Sequence, residues 1–182
     1  RNFSFPQFAA SALHTRPEGA GPPADPTRQG LTVSESYAVY GYGATFQQYA
    51  WVANFQAVRG VNRVWPMAYY SSTSEGQAYG TMSHLGPGNP LWPHWRAFSS
   101  YLARLGVVIS HTGHACDLAV YYPIEAEWAY RGRDEAAQAW ESFRSCCECL
   151  HEVQMPFDVL DNATLAASSA GEGFLETNGQ FY

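Results

Sequence analysis

Apolar positions along the chain change their period in an alternating way. Residues 5 to 15, FPQFAASALHT, space their apolar side chains as one face of a helix, and the Gly/Pro-rich stretch RPEGAGPPADPTRQG behind them can hold no regular element. LTVSES is a short β-rich run. Thr45 and Gln48 make a capping box, and Phe46, Tyr49, Ala50, Ala53 and Ala57 keep helical spacing up to a stop at Gly60. VNRVWPMAYY is the next strand candidate, followed by a Gly-, Ser- and Tyr-rich loop from Ser71 to Pro90. From Trp92 to Ser110 the period returns to helical, with Trp95, Phe98, Leu102, Leu105 and Ile109 on one face. The order is strand, helix, strand, helix.

A second series starts after SHTGHACD. DLAVYYP is the near-continuous apolar run of a strand buried on both faces of a parallel sheet. A helix follows from Asp134, with Ala136, Trp140, Phe143, Cys147 and Leu150 on one face, and Met155-Pro156 ends it before the strand FDVLD. This is a βαβ unit. Beyond it, NATLAASS and the residues up to Tyr182 supply too few elements for a sheet of ordinary size. The expected class is therefore α/β. A β/α barrel takes roughly eight strand-helix repeats over about 250 residues, and this chain carries about a quarter of that. The pattern predicts an internal piece of a larger protein, with the end of one α/β domain at residues 1–113 and the start of another at 114–182.

Composition sharpens this in three places. A hydrophobic share of 46% and an aromatic share of 15% are enough for a substantial core in 182 residues. Ten basic residues, all arginine, against sixteen acidic ones leave a net charge of −6, so there is no basic stripe for nucleic acid. No apolar run approaches the ~20 residues that span a bilayer, and a membrane partner is not expected. Cys146, Cys147 and Cys149 crowd into one predicted helix, where neighbours do not pair readily, and CCECLH is one cluster without a second half. No metal and no cofactor are expected from it. A soluble chain is expected; the compartment stays open, with a periplasmic or secreted location among the alternatives. Sequons at Asn2 and Asn162 add little.

One acid stands out. Glu35 ends the run LTVSES just before the aromatic, glycine-punctuated SYAVYGYG, and in a β/α barrel the strand ends carry the catalytic side chains. Tyr37, Tyr40 and Tyr42 follow it, and Trp65, Tyr69 and Tyr70 occupy the matching end of the next strand. Sugars have apolar ring faces and polar edges, so aromatic platforms beside a carboxylate suit a glycoside site. An arginine contact or a place in the core is the competing reading for each of these residues. His14 is a candidate donor to a sugar hydroxyl, and Arg63 a candidate to keep Glu35 ionised. His84 and His94 flank the GNPLWP turn in packing positions, while His111 and His114 read as linker. Neither G-x-S-x-G nor G-x-G-x-x-G occurs after a strand, which disfavours a serine hydrolase and a dinucleotide-binding domain.

ASALH, SESYAVYGYG, WVANFQAVRGVNRVWPMAYY, GNPLWPHWRAFSSYLARLGVVIS and DLAVYYP, taken in order, resemble the last barrel strands and following domain of large bacterial glycoside hydrolases of the α-L-rhamnosidase type. The likeness spans most of residues 8 to 160, and the loop Arg16 to Gln29 is an insertion relative to it. The resemblance implies the C-terminal part of a (β/α)8 TIM barrel followed by the start of a flavodoxin-like domain. It implies Glu35 as a catalytic carboxylate; His14, Tyr37, Tyr40, Arg63, Tyr69 and Tyr70 are the candidates, from their positions and chemistry, for contact with a carbohydrate substrate. Hydrolysis needs a second carboxyl. Glu18, Asp25 and Glu75 lie in loops, so the partner acid is expected upstream of Arg1, and the second domain is expected to be structural or to support a homo-oligomer. The alternative is a non-catalytic carbohydrate-binding or interaction module built on a barrel.

Overall fold

A computed structural model describes residues 5–15, 30–38, 40–67, 69, 83–112 and 114–182. The chain forms two compact units, one from residues 31–112 and the other from 1–30 together with 113–182. Both mix helices with small sheets, in keeping with the α/β class.

In the 31–112 unit, β1 (Val33–Ser36) and β2 (Arg63–Pro66) pair in parallel, with Glu35 opposite Trp65. The crossover between them is α2 (Phe46–Ala57), started by the expected capping box: the Thr45 hydroxyl accepts from the Gln48 amide, and the Gln48 side chain accepts from the Thr45 amide. Gly60, at φ 89°, closes the helix in a conformation that favours glycine. The Arg-Gly-Val-Asn stretch that follows has a structural reason. Asn62 accepts from the Thr32 amide through Oδ1 at 3.0 Å, while its own amide donates to the Thr32 hydroxyl at 3.1 Å, and that hydroxyl donates to the Gly60 carbonyl at 2.6 Å. This clamp fixes where both strands begin. After a 3₁₀ turn at Trp92–His94, α3 (Trp95–Ser110) packs with α2, and Gly106 lets α3 approach the chain just before β2, where a Cβ would stand 2.6 Å from the Asn62 carbonyl oxygen. Tyr37, Tyr49, Val52, Leu85 and Phe98 form the core between these elements, with Phe46, Trp95 and Tyr101 packed against it.

In the other unit, β3 (Ala119–Tyr121) and β4 (Asp158–Leu160) pair in parallel, joined by the short α4 (Ile124–Ala129) and by α5 (Asp134–Glu152). Along α5, Ala136, Phe143 and Cys147 are buried and Trp140 and Leu150 are half-buried, the face that the spacing predicts. The N-terminal helix α1 (Phe5–His14) belongs here, not with the 31–112 unit as residues 1–113 were grouped from sequence. It supplies side chains to a strand that has no further strand neighbour among the described residues: Ser11 Oγ accepts from the Val159 amide at 2.8 Å, and Gln7 Nε2 donates to the Phe157 carbonyl at 2.5 Å. Phe8 adds ring contacts to Tyr122 and Phe143 at 5.0 and 6.0 Å.

After β4 the chain does not run out of structure. Asp161 caps α6 (Asn162–Ala167), and β5 (Ser169–Gly171), β6 (Phe174–Thr177) and β7 (Gln180–Phe181) form an antiparallel meander. Asn178 and Gly179, at φ 53° and 76°, have the paired positive φ of the tight turn that Asn-Gly favours. The Phe174 ring lies over Gly171, where a Cβ would come within 2.2 Å of it.

Replacing Asn62 by alanine leaves the buried Thr32 amide without its acceptor, so Asn62→Ala lowers the stability of the 31–112 unit by about 1–3 kcal/mol in denaturant unfolding. Asn62→Asp, which keeps the acceptor, loses less.

Candidate functional site

Two groups of side chains have the make-up of a site, one in each unit. The first is the exposed face of the β1–β2 pair. Side chains alternate along a strand, and Ser36, bonded to Gln56 of α2 at 3.0 Å, turns to the helices with Val64. Val33, Glu35, Arg63 and Trp65 are exposed, and Trp65 is 70% so. Glu35 therefore sits at the carboxyl end of a parallel strand, directly across from an open indole, and its carboxylate makes no hydrogen bond or ion pair among the described residues. Tyr40, Tyr42 and Tyr69 are also exposed. Tyr42 and Tyr69 each meet the ring of His84, at 6.3 and 6.2 Å, which ties the loop after β1 to the loop after β2. Gly86 permits that assembly, since a Cβ there would lie 2.9 Å from both His84 and Tyr69.

Three sequence expectations change at this face. Tyr37 is not available to a ligand: it is 1% exposed, its hydroxyl donates to the Tyr49 carbonyl at 3.2 Å, and burial together with the neighbouring Tyr49 pushes its phenol well above the usual range. Its φ of 77° is rare for a bulky residue and turns the chain inward directly after β1. Arg63 is opposite Val33 in the register, two positions from the partner of Glu35, and no ion pair joins it to Glu35. His14 lies in the other unit. Tyr70, with Glu18, Asp25 and Glu75, falls outside the described residues.

The second group is a buried carboxylate with its partners. Asp158 opens β4 with 0% of its side chain exposed. Its oxygens are met from three distant segments. His14, at the end of α1, places Nδ1 3.0 Å from Oδ1, and since an ionised carboxylate only accepts, this nitrogen carries the proton. Tyr182, placed by the meander, donates to Oδ2 at 2.8 Å. His114 places Nε2 3.5 Å from Oδ2, an ion-pair contact without an aligned hydrogen bond, so that nitrogen is buried and unsatisfied. The His14 and His114 rings stack, with centroids 3.8 Å apart and planes 17° from parallel.

Electrostatics follow from this geometry. Burial opposes the charge on Asp158, but the facing His114 and His14 and the Tyr182 hydroxyl outweigh it and hold the carboxyl well below its ordinary range. Burial likewise opposes the charge on His114, and Asp158 with Cys116 outweighs it, holding the imidazolium up to about 9. Burial and the adjacent carboxylate push Tyr182 far up, so it stays a donor.

Sequence reasoning missed this group almost entirely. It read His114 as linker, assigned His14 to a sugar and gave Asp158 only a place in a strand. The one signal available was an aspartate inside the apolar run FDVL, because a charge that interrupts a buried strand needs partners. No family model, no curated protein and no solved structure matches the chain, so the likeness to the rhamnosidase-type hydrolases rests on the motifs alone.

Removing the charge of Asp158 leaves the buried His114 imidazolium without its counter-charge, and Asp158→Asn is expected to lower the stability of its unit by about 3–5 kcal/mol. Tyr182→Phe deletes one hydrogen bond to a charged group and costs about 1.5–3 kcal/mol. Denaturant unfolding followed in the tryptophan signal ranks the two.

Proposed function

We propose that the 31–112 unit is part of a carbohydrate-hydrolysing β/α barrel of the α-L-rhamnosidase type, with Glu35 as a catalytic carboxylate and the 114–182 region as the start of a flavodoxin-like domain. The observation that carries this reading is the face of the β1–β2 pair. Parallel strands are ordinarily covered on both sides, and here helices cover one side while the other presents Glu35 and Trp65 at the carboxyl ends of neighbouring strands. In a barrel that open side is the interior, and its carboxyl end is where the pocket lies. Trp65 supplies a stacking surface for a sugar ring, Tyr40, Tyr42 and Tyr69 line the approach, and the turn at Tyr37 holds the strand end rigid.

Glu35 is the one carboxylate among the described residues of this unit, and glycoside hydrolysis takes two. The second comes from another barrel strand. With it about 5 Å away, Glu35 is the nucleophile of a retaining reaction; at a separation of roughly 6.5–9.5 Å it is the base that activates water. The same single carboxylate supports the second reading, a surface that binds sugar without cleaving it.

The two are separated by experiment. In a protein that contains the whole barrel, Glu35→Gln is expected to cut aryl-rhamnoside hydrolysis by about 10²–10⁴-fold with sugar binding retained; undiminished hydrolysis removes Glu35 as catalyst. In the 182-residue chain, Trp65→Ala is expected to weaken rhamnose binding about tenfold, near 1.4 kcal/mol, without turnover in either form. Turnover by this chain alone would show that no further carboxyl is needed.

A further inference from the structure

We propose that His14, His114 and Asp158 bind a divalent transition metal of the zinc class, which ties α1 and the segment after residue 113 to β4. The proposal is independent of the glycosidase reading, since all three residues lie in the other unit. A ring nitrogen of His14, a ring nitrogen of His114 and a carboxylate oxygen of Asp158 lie within 4.8 Å of one another. Two imidazoles and a carboxylate are a donor set suited to zinc and its neighbours. Ligand atoms at about 2.0–2.1 Å around a tetrahedral ion stand roughly 3.3 Å apart, and each imidazole nitrogen is near that distance from its own carboxylate oxygen, His14 Nδ1 at 3.0 Å from Oδ1 and His114 Nε2 at 3.5 Å from Oδ2.

The orphaned nitrogen of His114 is the second, independent observation. A buried donor or acceptor without a hydrogen-bond partner is uncommon in a folded protein, and this one stands 3.5 Å from the carboxylate with no aligned hydrogen bond to it. An ion between the three groups satisfies it. The ion takes the place of the Nδ1 proton of His14 and of the proton on His114 Nε2, and so keeps positive charge beside the fully buried carboxylate. Tyr182 and the hydrogen bonds from α1 to β4 then act as the surroundings that orient the ligands. Because the ligands come from positions 14, 114 and 158, metal binding is coupled to the folding of the unit.

The test uses the full 182-residue chain, stripped of metal, with Cys146 and Cys149 replaced by serine, since these exposed free thiols would bind zinc on their own. Titration with Zn²⁺ alone is expected to show one ion per chain and a higher unfolding temperature. Co²⁺ alone is expected to give the visible bands of a tetrahedral site, lost on adding Zn²⁺. His114→Gln is expected to weaken binding by at least a hundredfold while the circular dichroism spectrum is unchanged. No saturable binding by the folded chain, equal affinity in His114→Gln, or binding that disappears with the two cysteines would each overturn the proposal. Should His114→Gln fail to fold, X-ray absorption on the zinc-loaded cysteine variant decides: two imidazoles with oxygen support it, and sulfur or oxygen alone overturns it.

Discussion

The arrangement of the 1–30 and 113–182 unit depends on a single buried charge. Asp158 has no exposed side-chain surface, and an ionised carboxylate in such a place is tolerated only when opposite charge and hydrogen-bond donors surround it. The chain meets that demand from three directions: the end of α1, the segment after residue 113, and the last residue of the meander. Of the elements that deliver a partner, α1 also packs on β4. Ser11 and Gln7 satisfy the backbone on either side of Asp158, and Gln180 donates to the Cys116 carbonyl at 2.8 Å. The charge thus explains why a helix some 144 residues away in sequence completes a two-stranded sheet.

The 31–112 unit is organised on a different constraint, the pairing of two short parallel strands with helices on one side only. Backbone pairing is anchored by the Thr32–Asn62 clamp, and the helix-facing side is closed by an aromatic core in which Phe98 contacts Tyr37, Tyr49, Phe46 and Trp95 within 6.3 Å. Burying Tyr37 there is what leaves Glu35 outside: two residues apart on a strand share a face, and the left-handed turn at Tyr37 breaks that relation at the strand end. The open carboxylate and the closed aromatic core are consequences of one backbone conformation.

Much of the secondary structure was legible because it is written in short-range signals. The Thr45–Gln48 capping box, the stop at Gly60 and the buried stripe of α5 are each set by residues within a turn or two of one another, and all are present. The meander could have been read from Asn178-Gly179 between alternating residues and was not, because its strands are only two to four residues long and carry little periodic signal. Glu35 was placed at the correct strand end by the same local logic. Tyr37 was misjudged, since nothing local says that a tyrosine after a strand will turn inward.

The sequence by itself determined the α/β alternation, the parallel βαβ connections and the position of Glu35, because propensity, capping and period act over a few residues. Only the tertiary structure decided that α1 joins β4, that the two histidines stack beside Asp158, and that Glu35 forms no ion pair among the described residues. Those are relations between residues tens to more than a hundred positions apart, and they arise from which buried groups must satisfy one another once the chain is compact.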